Sequence, residues 1–213
     1  MIAGMSGFSQ DFQNDLLDLM RWRRDVRRFR RDPVDEALLQ ECLATFRLAP
    51  SVGLSEPWRV IRLESDAARA AALANFTAAN QRALDGYSGE KASIYSSLKL
   101  SGMQESPVQL AIYCDDSTAQ GAGLGAGTMP ETRRYSVVGA ITHFWLAARA
   151  RGLGVGWVSI LDPLQLNQDL AVPEGWTLVA YLCVGWPESS NDTPELELIG
   201  WETRRDALAI ETR

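Results

Sequence analysis

The stretch Arg21-Trp22-Arg23-Arg24-Asp25-Val26-Arg27-Arg28-Phe29-Arg30-Arg31 sets seven arginines around one acid. The chain that carries it is acidic, with a formal net charge of −6 over 213 residues. So dense a cluster on an acidic chain points to one localised anion. Arginine suits a phosphate because its planar fork donates two parallel hydrogen bonds and stays charged at any working pH. At helical spacing Arg23 and Arg27 share a face, as do Arg24 and Arg28. Trp22 and Phe29 can anchor the segment to a core, which favours a folded site. The competing reading of the same charge is a solvated basic face, or a patch for RNA or an acidic partner. The overall negative charge argues against a protein that coats nucleic acid, whose affinity rests on neutralising many phosphates.

Working outward, Phe12, Leu16, Leu17 and Met20 form a helical stripe over 10–21. Asp32-Pro33 breaks the pattern. Asp35 can cap a new helix bearing Leu38, Leu39, Cys42, Leu43 and Phe46 on one face. Pro50-Ser51-Val52-Gly53 ends it, and Trp58–Leu63 alternates as a strand. Residues 66–85 and 91–101 read as helices, and Val108–Cys114 as an apolar strand after Pro107. The polar, glycine-rich stretch 115–131 is a loop, and its length marks it as a lid or binding loop. Tyr135–Ala150 is an apolar helix stopped by Gly152 and Gly154. Val155–Ile160 is a strand, Asp162-Pro163 a helix cap with proline at the first helical position, and Trp176–Val184 a buried strand. The tail from Pro194 onward is polar with isolated Leu196, Leu198, Ile199 and Trp201, a composition suited to wrapping a partner subunit. Strands alternating with helices make the class α+β or α/β, a central sheet covered by helices.

Apolar residues at 46% and charged residues at 23% support one folded domain over 10–213 behind a flexible N-terminus, 1–9. Met1–Ser9 lacks the basic and apolar regions of a signal peptide. No stretch approaches the ~20 apolar residues of a spanning helix. The expectation is a soluble cytoplasmic protein with no membrane partner. Cys42, Cys114 and Cys183 are far apart, with no C-x-x-C pair, and read as buried free thiols. His143 is the one histidine, so no metal site is expected.

Three further segments bear on chemistry. Gly121-Ala122-Gly123-Leu124-Gly125-Ala126 matches a permissive dinucleotide fingerprint, but several polar residues separate it from the preceding strand and no acid-tipped strand follows, so a lid is the better reading. Ser159 and Asp162 end a strand. Ser159 has no histidine nearby, which argues against a Ser-His-Asp hydrolase, and leaves a serine over a cofactor or an ordinary strand serine. Ser51 and its neighbouring amides sit at a helix-to-strand corner, where they can bond the edge of a planar heterocycle or simply shape a loop.

The segments Arg23–Phe29, Ala49–Trp58, Glu105–Tyr113, Ala147–Trp157 and Ala180–Pro187, in that order, resemble the nitroreductase-like flavoproteins. The resemblance spans roughly residues 15 to 205. Arg24-Asp25-Val26-Arg27, Thr128–Thr132, Tyr135-Ser136 and Gly156–Pro163 resemble more narrowly its 5,6-dimethylbenzimidazole synthase branch. That branch fragments reduced FMN with oxygen to give the lower ligand of vitamin B12 and D-erythrose 4-phosphate. The resemblance implies an α+β nitroreductase-like fold with a central mixed sheet flanked by helices. It also implies an intertwined homodimer with FMN at the subunit interface.

Carried over by residue, Arg23, Arg24 and Arg27 would hold the FMN phosphate, with Val26 beside them. Pro50, Ser51 and Leu54 would lie along the flavin ring, the 115–131 loop would be a lid, and the extension around 194–213 would supply Arg204 or Arg205 to the phosphate. Asp25 and Ser159 would be catalytic, Asp25 as a base near the ribityl chain and Ser159 as a hydrogen-bonding partner of the flavin and its oxygen adduct. Ordinary members carry Ser at the Asp25 position. A carboxylate beside a phosphate is unfavourable, so its presence implies that its charge is used. Oxygen would be co-substrate, and a separate reductase would supply reduced flavin. The alternatives are an FMN-retaining NAD(P)H-dependent nitroreductase or corrinoid reductase, and a basic interaction module without flavin.

Overall fold

Alternation along β2 (Val108–Asp115) decides how the molecule is layered. Val108, Leu110, Ile112 and Cys114 point to one side of the sheet, where they pack with Leu39, Val137, Ile141 and Phe144. Ala111 and Tyr113 point to the other, where they meet Leu63, Ala72, Phe76 and Leu166. Successive side chains of a strand face opposite ways, so a strand covered on both sides reads as an unbroken apolar run. β4 (Trp176–Gly185) divides likewise, with Ala180, Leu182 and Val184 on the first side and Tyr181 and Cys183 on the second.

The computed structural model describes residues 7–213. Its helices are α1 (Gln10–Trp22), α2 (Glu36–Ala44), α3 (Asp66–Asp85), α4 (Gly89–Ser97), α5 (Thr132–Ala150), α6 (Pro163–Asp169) and α7 (Glu195–Leu198). The remaining strands are β1 (Trp58–Arg62) and β3 (Gly154–Val158), and the sheet order is β1-β2-β4-β3. α2 and α5 cover one face, α3 and α6 the other. Asp35 caps α2 through the Leu38 N–H. Asp162 caps α6 through the N–H groups of Leu164 and Gln165, with Pro163 at the first position, as the sequence indicates. Among the described residues no helix is long and apolar enough to cross a membrane.

The structure departs from the sequence reading in several places. All four strands pair antiparallel, and the parallel part of the expected mixed sheet is one isolated bridge, Asp25 to Val155. The arginine run is not helical beyond Trp22. Arg23 is already extended, and the chain lies along the outer edge of β3 before pairing Phe29 with Pro187. β3 stops at Val158, so Ser159 lies just past the strand. Residues 1–6 of the expected flexible N-terminus lie outside the described residues. Of the rest, Phe8 stacks on Phe12 at 4.5 Å and Ser9 caps α1. The tail also folds onto its own chain. Trp201 sits at 5.5 Å from Tyr87 and 6.2 Å from Tyr95, with Lys91 Nζ 4.5 Å from its ring.

The long loop is held at its stem. Arg59 bonds Asp115 at 2.9 Å. Asp116 accepts from Arg134 at 2.7 Å, from Thr177 at 2.7 Å and from the Cys114 thiol at 3.3 Å. Burial pushes the Asp116 carboxyl up, but these hydrogen bonds outweigh it and leave the group below its usual range. A depressed carboxyl adds stability above its unfolded pKa and loses it as pH falls through the folded one. Because Arg134 is half exposed, solvent screening holds the pair to about 1 kcal/mol. Asp116→Asn should therefore lower Tm at pH 7 by about 2–4 °C, and the gap to the parent should narrow in melts taken progressively below the ordinary aspartate range, about pH 3.9. A gap that does not narrow as the carboxyl is protonated would mean the charge is not what counts.

Candidate active site

The arginine run can lie against β3 because β3 has no side chains in the way. A Cβ on Gly156 would stand 2.0 Å from the Val26 carbonyl oxygen, and one on Gly154 would stand 2.8 Å from the Val26 side chain. The two backbones therefore touch, and the Val26 N–H donates to the Val155 carbonyl at 3.0 Å. The next bond along this edge comes from a side chain, for the Trp157 N–H donates to Asp25 Oδ1 at 2.7 Å. Asp25 thus completes the edge of the sheet. Its other oxygen, Oδ2, accepts from Arg27 Nε at 2.9 Å. Burial pushes this carboxyl above the ordinary range, while the Trp157 N–H, Arg27 and Arg23 pull it back.

Arg23, Arg24, Asp25, Arg27 and Arg204 line one recess, walled on the far side by Pro194, Glu195 and Leu196. The sequence pairs Arg23 with Arg27 by helical spacing. The structure brings them together because, in an extended chain, residues two apart face the same way. Arg23 lies 4.7 Å from the Trp145 ring. Arg24 donates through Nε and Nη2 to the Asp192 carbonyl. Burial first, then the neighbouring charges of Arg204 and Arg23, lowers the Arg24 pKa. Three other arginines of the run are drawn off by acids, with Arg21 on Asp18, Arg28 on Glu195 and Arg30 on Asp32, and Arg31 is exposed.

Two observations show that the recess fits an anion. The three cations Arg23, Arg24 and Arg204 repel one another there. Arg27 Nη1 is buried and meets no acceptor among the described residues, although an unmet buried donor costs about 1–3 kcal/mol. A phosphate would relieve both. Val26 is occupied differently, because its side chain packs on Gly154. Ser159 lies exposed two residues past Trp157, at the same strand edge as Asp25. Arg205 is exposed and does not line the recess.

Pro50, Ser51 and Leu54 are elsewhere. They precede β1, at the opposite edge of the sheet from β3, three strand spacings or about 14 Å away. Ser51 Oγ accepts from the Glu56 N–H, and Val52 N–H donates to Ser136 Oγ. The glycine-rich loop packs onto this corner, with a Cβ on Gly53 placed 2.8 Å from the Leu124 carbonyl. Leu54 is 73% exposed with φ +57°. One chain therefore does not bring both halves of the expected site together.

Sequence reasoning missed Trp145, Glu195 and the edge-completing bond of Asp25. The pair Gly154 and Gly156 inside an apolar strand was the available signal for the last, since glycine there marks close backbone approach. Among the described residues there is no cluster able to hold a metal ion, and the three cysteines are free and buried.

Comparisons with known proteins show what the chain is similar to. The nitroreductase family profile matches residues 20–186. A 5,6-dimethylbenzimidazole synthase from Rhodospirillum rubrum is 53% identical over 93% of this chain and 94% of its own. Another from Rhodobacter capsulatus is 48% identical over 92% and 94%. In fold the chain is similar to an iodotyrosine deiodinase crystallised with FMN and 3-iodo-L-tyrosine, with TM-score 0.74 at 20% identity, over 93% of this chain and 99% of that one.

Proposed function

The chain belongs to the nitroreductase family, and on that premise we propose that it fragments reduced FMN with oxygen to 5,6-dimethylbenzimidazole and D-erythrose 4-phosphate. The observation that carries the reading is Asp25. An ordinary phosphate site has no use for a carboxylate, yet this one is locked at both oxygens beside the arginines. Reduced flavin supplies the electrons that activate oxygen. The protein supplies the rest. Arg23, Arg24, Arg27 and Arg204 hold the phosphate. Asp25 accepts a proton from the ribityl chain as the C1′–C2′ bond breaks, a general-base role. Ser159, past the end of β3, hydrogen-bonds the flavin ring and the oxygen bound to it.

Pro50, Ser51 and Leu54 come to the flavin from a second copy of the chain. Their place at the far edge of the sheet supports this, as do the exposed apolar faces. α1 buries none of its side chains yet carries Phe12, Leu17, Met20 and Trp22, and Leu54, Leu124, Met129 and Tyr135 also stand exposed. Patches of this kind mark interaction surfaces. The 115–131 loop then closes over the ring as a lid. Reduced flavin arrives from a separate reductase, in a cytoplasm that keeps the three thiols reduced.

The test is direct. Purified protein mixed with excess FMNH2 and exposed to oxygen is expected to yield 5,6-dimethylbenzimidazole, read by chromatography and mass. Intact FMN with steady NAD(P)H oxidation would instead make it a nitroreductase or corrinoid reductase.

A further inference from the structure

Arg27 stands between two groups. Nε holds Asp25 Oδ2 at 2.9 Å, while Nη1 is buried and unmatched among the described residues. The guanidinium keeps 14% of its side-chain surface exposed, so solvent offers little substitute. Asp25 Oδ1 is tied to the Trp157 N–H at 2.7 Å, which leaves Oδ2 as the oxygen whose environment can change. A phosphate in the recess would take the free Arg27 donors and draw positive charge away from Oδ2. It would also add negative charge nearby. Both effects favour the protonated carboxyl.

We propose that Arg27 is a positioning residue that ties occupation of the phosphate pocket to the readiness of Asp25 to accept a proton. The phosphate of FMN then switches on the base as well as anchoring the molecule, and a flavin without phosphate leaves the base held down. This rests on the reading of Asp25 as the base in FMN fragmentation. The other charged or titratable groups that act on Asp25 or line its recesses are Arg23, Arg24 and Arg28 on its own segment, Cys183 on β4, Arg149 on α5, and Glu195 and Arg204 from the C-terminal segment. β3 contributes no titratable group, only the Trp157 N–H. Of the charged groups, Arg27 is the one hydrogen-bonded to the carboxylate.

The parental protein decides the matter without turnover. Its Asp25 carboxyl is titrated by 13C NMR, assigned with Asp25→Asn, in the presence of oxidised FMN or of riboflavin. FMN is expected to raise the midpoint by about one pH unit relative to riboflavin, a tenfold gain in proton affinity. Equal midpoints would overturn the proposal. In Arg27→Lys the gap between the two midpoints should shrink to the part set by the phosphate's own charge, because one ammonium cannot serve both partners as the fork does, and a gap as wide as the parent's would overturn the proposal. The single-turnover rate on FMNH2 should fall about 30-fold further than FMN affinity does, with the acid limb of its pH profile displaced. A lysine variant with the parental rate and limb would also overturn the proposal. A midpoint shift without benzimidazole formation would sink the functional reading and leave the coupling standing. Benzimidazole formation without a shift would do the reverse.

Discussion

Asp25→Asn is expected to lower benzimidazole formation by a factor of about 100 to 10,000, the range that a general base contributes. FMN affinity should stay within about tenfold, or ~1.4 kcal/mol. The separation follows from what each atom does. Asparagine keeps an oxygen for the Trp157 N–H, so the edge of β3 stays closed. The amide has no proton-accepting charge, and its NH2 faces Arg27 Nε in place of an acceptor. Arg23, Arg24, Arg27 and Arg204 remain to hold the phosphate, and a like charge has been removed from beside it. Asp25→Ser should behave the same way. In the parent, burial raises the Asp25 carboxyl, so its basic form accumulates, and turnover rises, at a pH above the usual aspartate value of about 3.9. Single-turnover rates and FMN fluorescence quenching measure the two quantities. Product formed at the parental rate by either variant would remove Asp25 from the chemistry.

Gly156→Ala is expected to be the most damaging single methyl group in the molecule. Its Cβ would stand 2.0 Å from a backbone oxygen, that of Val26, where no side chain can swing aside. The arginine segment must lift off β3, breaking Val26 N–H to Val155 and Trp157 N–H to Asp25. Overpacking costs about 1–3 kcal/mol, and each stranded buried partner about 1–3 kcal/mol more. The sum predicts a Tm drop of about 10 °C or more together with loss of FMN binding. Gly139→Ala is the control. It lies in α5 with nothing within 4 Å of the new Cβ, so it should be neutral or stabilising by about 0.5–1 kcal/mol. Melting curves that rank the two variants equally would refute the close approach.

Local chemistry was legible in the sequence where it acts over a few residues. Asp35 and Asp162-Pro163 announce helix starts because a cap needs nothing beyond the N–H groups two or three positions on. β2 and β4 announce themselves as buried by their largely apolar runs, broken only by Gln109 and the terminal Asp115 in β2 and by Thr177 in β4. The helical pairing of Arg23 with Arg27 named the right partners for the wrong reason, since spacing four apart suits both a helix and an extended chain. The composition of the tail suits a partner subunit and says nothing of where Trp201 rests. Its contacts with Tyr87 and Tyr95 depend on residues over a hundred positions away, which no local pattern encodes.

By itself, the order of residues determined an acidic chain with a basic cluster, a carboxylate set within that cluster, and apolar segments whose period separates strand from helix. Those are properties of neighbours, and neighbours are what a sequence displays. Tertiary structure alone decided that two glycines let the cluster lie on β3, that three arginines turn to one recess while three others are drawn off by acids, and that Ser51 and Asp25 stand at opposite edges of one sheet. Each of these depends on where a distant backbone comes to rest, and that position follows from the packing of the whole core.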